Sequence, residues 1–327
     1  MSSDGFFFDF GEQPKMEKVA QNETNHHDLV GSTVKIETFP NILSNNDNNN
    51  AALLSTWGEK YQNPEKMEIS INNTIGCVYY QAALTKDSLQ IDNHEVKDII
   101  PGRYYGGLKV WSCAPYLSQF MATHNVLHNN NNNNEMMIAE LGAGQGMPLL
   151  TAILLTLYNN NNNNKSYQYI FQDYNEEVIV DCTQPNFATT VLQNNLINNH
   201  NNVRVDFISG DWEVLAHNHN NNIHYENKVN IILGSDVTFD ELATQKLVLL
   251  LQKWLSPIQN NNNNSNFALI ATKEYYFGTN GGVHALQTEI ETLNSKNNNN
   301  HKLMCEILDR VEDSLGMNRM IVKIWKV

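Results

Sequence analysis

Apolar and polar positions fall into an alternation that becomes regular at residue 136. Met136–Leu141 is a short apolar run ending in glycines, which suits a buried strand, and Met147–Tyr158 follows with helical period. Tyr167–Phe171, Val203–Ile208, Val229–Leu233 and Phe267–Ala271 read as further strands. Between them Phe187–Leu196, Asp240–Leu255 and Val283–Leu293 carry helical patterns, with Asp240 as N-cap of the strongest. Cys305–Leu308 and Met320–Trp325 end the pattern as two strands with no helix between, as in an antiparallel hairpin at a sheet edge. The alternation predicts an α/β fold, a parallel sheet with helices on both faces. Upstream the signal is weaker. Residues 67–91 hold short β-rich runs around Asn72-Asn73-Thr74, the pattern of a hairpin. Residues 1–65 show little periodicity, and Gly5–Phe10 is an aromatic cluster that packs down or meets a partner. The expected division is 1–100, a partly disordered arm with a short β-rich segment, and 101–327, the main domain.

Composition adds one feature. Of 327 residues, 52 are asparagine, in runs at 48–50, 129–134, 159–164, 220–222, 260–264 and 297–300, with looser clusters near 45–46 and 198–202. The runs dilute an otherwise ordinary globular sequence, and each from 129 onward precedes an expected strand. Long polar insertions cost little loop-closure entropy, so this pattern marks the sheet edge away from any ligand. The net charge of −14 suits a basic protein partner or simply keeps the chain soluble, and it argues against binding nucleic acid through phosphates. No 18-residue apolar stretch suggests a membrane span, and Met1–Gly11 makes a poor signal peptide. Cys77, Cys113, Cys182 and Cys305 are scattered, which argues against a zinc site or disulfide scaffold and fits the cytosol or nucleus. His26, His27, His217, His219 and His224 read as loop histidines without ligand spacing.

Candidate chemistry clusters at the C-terminal ends of the expected strands. Glu140-Leu141-Gly142-Ala143-Gly144-Gln145-Gly146 follows the first strand and opens a helix. Its G-x-G-x-G spacing, and a carboxylate at Glu140 that would attract a cationic ligand and repel a pyrophosphate, favour S-adenosylmethionine (SAM) over a nicotinamide dinucleotide. Asp173 ends the second strand, where it can accept both ribose hydroxyls; Glu176 three residues on also permits a capping box. Gly210-Asp211-Trp212 follows the third strand, suiting a hydrogen bond to an adenine amine and an indole against the ring, or a tryptophan at the core edge. Gly234–Phe239 follows the fourth. Together these four strand ends point to a nucleoside-bearing ligand.

Pro101–Cys113, with its G-G-L-K-V-W string, E-L-G-A-G-Q-G, F-Q-D-Y-N, T-Q-P-N, G-D-W and K-E-Y-Y-F-G resembles the protein-histidine N-methyltransferases of the eighteenth methyltransferase-like type. The resemblance covers about 100–327, and Asp173-Tyr174-Asn175 and Lys273–Gly278 are its most specific strings. It implies a Rossmann-like, seven-stranded class I methyltransferase sheet with a reversed final strand. It also implies methyl transfer from SAM to a histidine ring nitrogen, with a large-subunit ribosomal protein as substrate. By position it places Val110, Trp111, Ser112, Cys113, Ala114, Gly142, Asp173, Tyr174, Asn175, Gly210, Asp211, Trp212 and Ser235 on the cofactor, where the glycine loop also sets Glu140, Gly144 and Gly146. Two departures stand out. Ser112 replaces an acidic residue, and Asp236 and Phe239 stand where relatives show Glu and Tyr, so no phenol is available at 239.

A histidine nitrogen is nucleophilic only when neutral, and its other nitrogen needs a fixed acceptor. Asp236 is the candidate for that acceptor, and it would also stabilise charge developing on the ring; its other reading is a cap on the following loop. Three alternatives remain open from the residues: a lysine methyltransferase of the same class, a nicotinamide dehydrogenase, and a non-catalytic asparagine-rich interaction protein.

Overall fold

The computed structural model describes residues 33–44, 48–60, 63–71, 74–81, 99–100, 104–127, 135–158, 165–197, 200, 202–217, 225–258, 266–296, 301–312 and 317–327. The Gly5–Phe10 cluster, His26, His27, His219 and His224 lie outside them, as do the asparagine runs at 129–134, 159–164, 220–222, 260–264 and 297–300.

The elements, in chain order, are β1 (Lys35–Phe39), α1 (Asn48–Gly58), β2 (Glu65–Ile71), β3 (Thr74–Tyr80), α2 (Cys113–His124), β4 (Glu135–Leu141), α3 (Met147–Tyr158) and β5 (Ser166–Asp173). A short α4 (Glu176–Val178) runs through a π-helical turn (Ile179–Thr183) into α5 (Gln184–Gln193). Then come β6 (Val203–Ser209), α6 (Trp212–His217), β7 (Ile231–Ser235), α7 (Glu241–Trp254), β8 (Phe267–Lys273), α8 (Val283–Lys296), β9 (Leu303–Val311) and β10 (Arg319–Lys326).

The main sheet runs β1-β6-β5-β4-β7-β8-β10-β9. β6, β5, β4, β7 and β8 are mutually parallel, while β10 runs antiparallel between β8 and β9. Counted from β4, this is the order 3-2-1-4-5-7-6 of the class I methyltransferase sheet. Among the described residues the expected seven strands become eight, because β1 pairs antiparallel with β6 at the far edge. Nothing in 1–65 announced that strand. Its residues alternate only weakly, and it is fixed by tertiary contacts: Phe39, Trp57 of α1 and Phe207 of β6 meet edge-on at 5.2–6.0 Å. The 67–91 hairpin appears as the separate sheet β2–β3, with its strands over 65–80.

Successive strand residues serve opposite cores, as expected of a sheet covered on both faces. Ile138, Phe171 and Phe207 face one core, with Leu117 and Met121 of α2, Ile153 of α3 and Phe187 of α5. Ala139, Ile170 and Ile208 face the other, with Leu215 of α6, Leu247 and Leu251 of α7 and Ile290 of α8. Asp240 caps α7 as expected, accepting the Ala243 N–H at 2.7 Å.

Each asparagine run from 129 onward joins the end of a helix to the start of a strand: α2 to β4, α3 to β5, α5 to β6, α6 to β7, α7 to β8 and α8 to β9. The strands' C-terminal ends carry short connections. β4 lies between β5 and β7, so the strand order reverses there, and a crevice opens beyond its C-terminal end. The run at 48–50 is different, since it forms the first turn of α1.

Candidate active site

At the end of β4 the chain turns through Gly142, Gly144 and Gly146, all at positive φ. At Gly142, φ is +66°, and a Cβ would stand 2.8 Å from Val237 Cγ1 and 3.5 Å from the Trp212 ring, so only glycine keeps this floor open. The last two residues of β5 hold the loop. Asp173 is buried; one carboxylate oxygen accepts the Gly144 N–H at 2.9 Å and the other the Asn175 N–H at 3.0 Å. Burial pushes its pKa up to about 6 against the pull of those backbone donors. Gln172 accepts from Gly142 N–H (3.3 Å) and Trp212 Nε1 (2.6 Å), and donates to the Gly210 carbonyl at 2.8 Å. Three strand ends are thereby tied to one amide.

Aromatic rings wall the cleft. Trp111 Nε1 donates to the Gly106 carbonyl at 2.7 Å, and the Lys109 ammonium lies 4.7 Å from the Trp111 ring centre. Tyr105 packs edge-on against Tyr174 at 4.5 Å and tilts toward Phe239 at 5.9 Å. Asp211 accepts the Glu213 N–H at 2.8 Å and pairs with Lys246 at 2.7 Å.

The far end of the cleft is built from the connections after β7 and β8. Asp236 has φ +55°, a conformation costly for a residue with a Cβ. Its Oδ2 accepts the Cys113 N–H at 2.9 Å, at the start of α2, and its Oδ1 accepts the Tyr276 hydroxyl at 2.8 Å. The two connections are clasped together: the Gly282 N–H donates to the Thr238 carbonyl (2.8 Å) and the Thr279 hydroxyl to the Phe239 carbonyl (2.5 Å).

The cleft encloses about 1050 Å³, its mouth included. Val110, Trp111, Ala114, Gly142, Gly144, Asp173, Tyr174, Gly210, Asp211, Trp212, Ser235 and Asp236, all expected at the site, line this cleft. Five expected residues do not. Glu140 is fully buried, its Oε2 accepts the Leu149 N–H at 3.0 Å, and burial raises its pKa well above the carboxylate range. Its expected attraction for a cationic ligand is therefore corrected: it closes the first turn of α3 behind the loop. Ser112 offers its carbonyl to Arg319 at 3.3 Å; Cys113 contributes its N–H to Asp236, with its buried thiol pushed up by desolvation. Asn175 accepts the Tyr105 N–H at 3.3 Å, and Gly146 turns the loop into α3 by donating to Ala143 at 2.6 Å. The capping-box alternative for Asp173 fails, since the residue at the N-cap of α4 is Asn175.

Sequence reasoning missed Gln172, Gln145, Tyr105, Lys246 and Tyr276. Gln145 donates to the Leu108 carbonyl (2.9 Å) and accepts from Asn186 (2.6 Å), which binds the glycine loop to the segment before α2. Gln172 and Tyr276 lay inside quoted strings, but no spacing tells which of their neighbours turn inward. His217 is exposed at the end of α6. Among the described residues no group of three or more His, Cys, Asp or Glu is placed to hold a metal, and no helix is long and apolar enough to cross a membrane.

A glycine floor, a carboxylate at the end of β5 and indole walls at a strand-order reversal fit a nucleoside with an extended methionine tail. The strand order, with a cleft at its reversal, defines the class I, SAM-dependent methyltransferase fold. Residues 84–275 match the family described as lysine methyltransferase, and the chain belongs to that family. Among curated relatives it is similar to "Histidine protein methyltransferase 1 homolog" of Dictyostelium discoideum, at 29% identity over 231 residues, covering 69% of this chain and 60% of the relative. "Histidine protein methyltransferase 1" of Schizosaccharomyces pombe is 22% identical, over 90% of this chain and 87% of the relative. The cattle homologue is 28% identical, and the match spans 60% of this chain but only 51% of the relative. The resemblance to histidine methyltransferases read from the sequence is borne out by these relatives. A solved structure assigned as a SAM-dependent methyltransferase from Streptococcus mutans superposes with TM-score 0.42 at 13% identity, over 82% of this chain and 57% of that one. The fold assignment rests on the strand order.

Proposed function

We propose that this chain is a protein-histidine N-methyltransferase acting on a basic protein of the large ribosomal subunit, in the cytosol or nucleus, without binding nucleic acid directly. The observation that carries the reading is Asp236, a buried carboxylate that lines the cleft while each of its oxygens holds one donor. Each oxygen keeps a lone pair for one more donor. An imidazole N–H directed there leaves the opposite ring nitrogen lone pair free to attack. Bound SAM supplies a methyl group on a sulfonium, already a good leaving group. The chain's task is alignment: the glycine loop and Asp173 hold the nucleoside, Trp111 and Trp212 flank it, and Asp236 fixes the acceptor tautomer. The relatives' names favour histidine as acceptor.

The family description favours a second reading, lysine, at the same carboxylate. Lysine must lose a proton before attack, so its methylation rate rises steeply with pH, whereas a histidine with pKa near ~6.5 is mostly neutral by pH ~7.5. Intact-mass and peptide mapping of ribosomal proteins from cells lacking this chain decides between them. A large-subunit histidine that loses one methyl group supports the proposal. A lost lysine methyl supports the second reading, and unchanged masses reject the ribosomal substrate.

A further inference from the structure

The acceptor end of the cleft lacks a phenol on its own strand-end loop, because position 239 is Phe. A phenol arrives there from the next connection. Tyr276 is buried, lines the cleft, packs with Phe239 and Ala243, and donates to Asp236 Oδ1 at 2.8 Å. The Lys273 ammonium lies 5.3 Å from its ring centre, and the clasp of Gly282 and Thr279 onto Thr238 and Phe239 sets the loop's path. Asp236 itself sits in the left-handed region, a conformation that a residue with a Cβ keeps only where its surroundings hold it. Its orientation draws on donors from separate elements, the Cys113 N–H at the start of α2, with the Cys113 thiol beside it, and the phenol after β8.

We infer that Tyr276 is a positioning residue for methyl transfer, holding the Asp236 carboxylate in the orientation that receives the acceptor's N–H. This inference rests on the proposed role of Asp236 and adds the group that aims it. Tyr276→Phe keeps the ring packing and removes only the hydroxyl.

The test has two arms on the full chain. The first needs no acceptor: amide hydrogen exchange at Cys113, whose N–H depends on a fixed carboxylate. The Phe variant should exchange there about ten-fold faster, with SAM affinity by calorimetry within about two-fold of wild type. The second arm uses tritiated SAM and large-subunit ribosomal proteins from cells lacking this chain. There kcat should fall roughly ten- to a hundred-fold with KM for SAM unchanged. In an Asp236→Asn background the same change should shift kcat by less than about two-fold, because the two residues act as one unit. Unchanged Cys113 exchange, a parallel loss of SAM affinity, or an equal kcat loss in the Asn background would each overturn the inference. A wild type that transfers no methyl while Cys113 exchange still responds rejects the proposed function and leaves standing only that Tyr276 orients the Asp236 carboxylate.

Discussion

Asp173 gives the sharpest test of how the cleft recognises its nucleoside. Its carboxylate is buried, its pKa stands at about 6, and its oxygens already accept the Gly144 and Asn175 N–H groups. Two ribose hydroxyls donate to it as charge-assisted bonds only when it is ionised. With that pKa, about 10% is ionised at pH 5 and nearly all at pH 7.5, so SAM affinity should weaken about ten-fold between the two. Asp173→Asn removes the charge from both bonds, worth about 2 kcal/mol together, or about thirty-fold in affinity at pH 7.5. At pH 5 the two proteins should bind within a few-fold of each other. Titration calorimetry with SAM and S-adenosylhomocysteine from pH 5 to about 7.5 stays below the ligand's amino group at about 7.7–8.0. Stability of the ligand-free protein runs the other way. A carboxyl whose folded pKa is raised contributes stability that is full below about 3.8 and is lost as pH rises through about 6. The Asn variant should therefore not be less stable at pH 7.5 by more than about 1 kcal/mol, although it binds worse. Flat wild-type affinity across this range, or the same slope in the Asn variant, would refute the ribose assignment.

Asp236→Asn should lower turnover by about a hundred-fold or more while SAM affinity stays within about three-fold; equal loss of both in kinetics and calorimetry would assign Asp236 to cofactor binding. Asp236→Ala is the poorer probe, because it strands the Cys113 and Tyr276 donors at about 1–3 kcal/mol each. Gly142→Ala forces a Cβ to φ +66° and against Val237, so it should abolish measurable SAM binding and cost about 1–2 kcal/mol in thermal unfolding. Replacing residues 159–164 with an equal-length Gly/Ser linker should leave SAM affinity within about two-fold, since Tyr158 and Lys165 belong to the opposite edge of the sheet. A larger loss in that titration would place the run near the cofactor.

The parallel core was legible because β4, β5, β7 and β8 are apolar on both faces, and only burial between helix layers explains such runs. The strand-end motifs were legible because the fold class places ligands there. The first strand was not, since Lys35–Phe39 is largely exposed and its aromatic anchor, Phe39, meets partners, Trp57 and Phe207, that lie 18 and 168 residues away. The π-helical turn at Ile179–Thr183 left no mark either, and it moved the start of the next helix ahead of Pro185. Glu140 shows the opposite error. A carboxylate beside a glycine loop suggested a ligand contact, but strand alternation turns it away from the cleft toward the α3 amides. Gln172 and Tyr276 act through residues 38 and 40 positions away, a distance at which local spacing carries no information.

The place of β10 has a consequence for how the chain is made. β10 follows β9 in sequence, yet it lies between β8 and β9, and among the described residues β9 pairs with β10 alone. During synthesis β9 therefore leaves the ribosome before any strand exists to receive it, and β8 waits with an open edge. The strands that shape the cleft, β4 to β8, can assemble earlier, so the binding half of the molecule can form while its closing edge is still unpaired. Any message cut short before Arg319 would leave the β8 edge bare and β9, with its Met304, Ile307 and Leu308, without its partner strand, two segments prone to join strands of other chains.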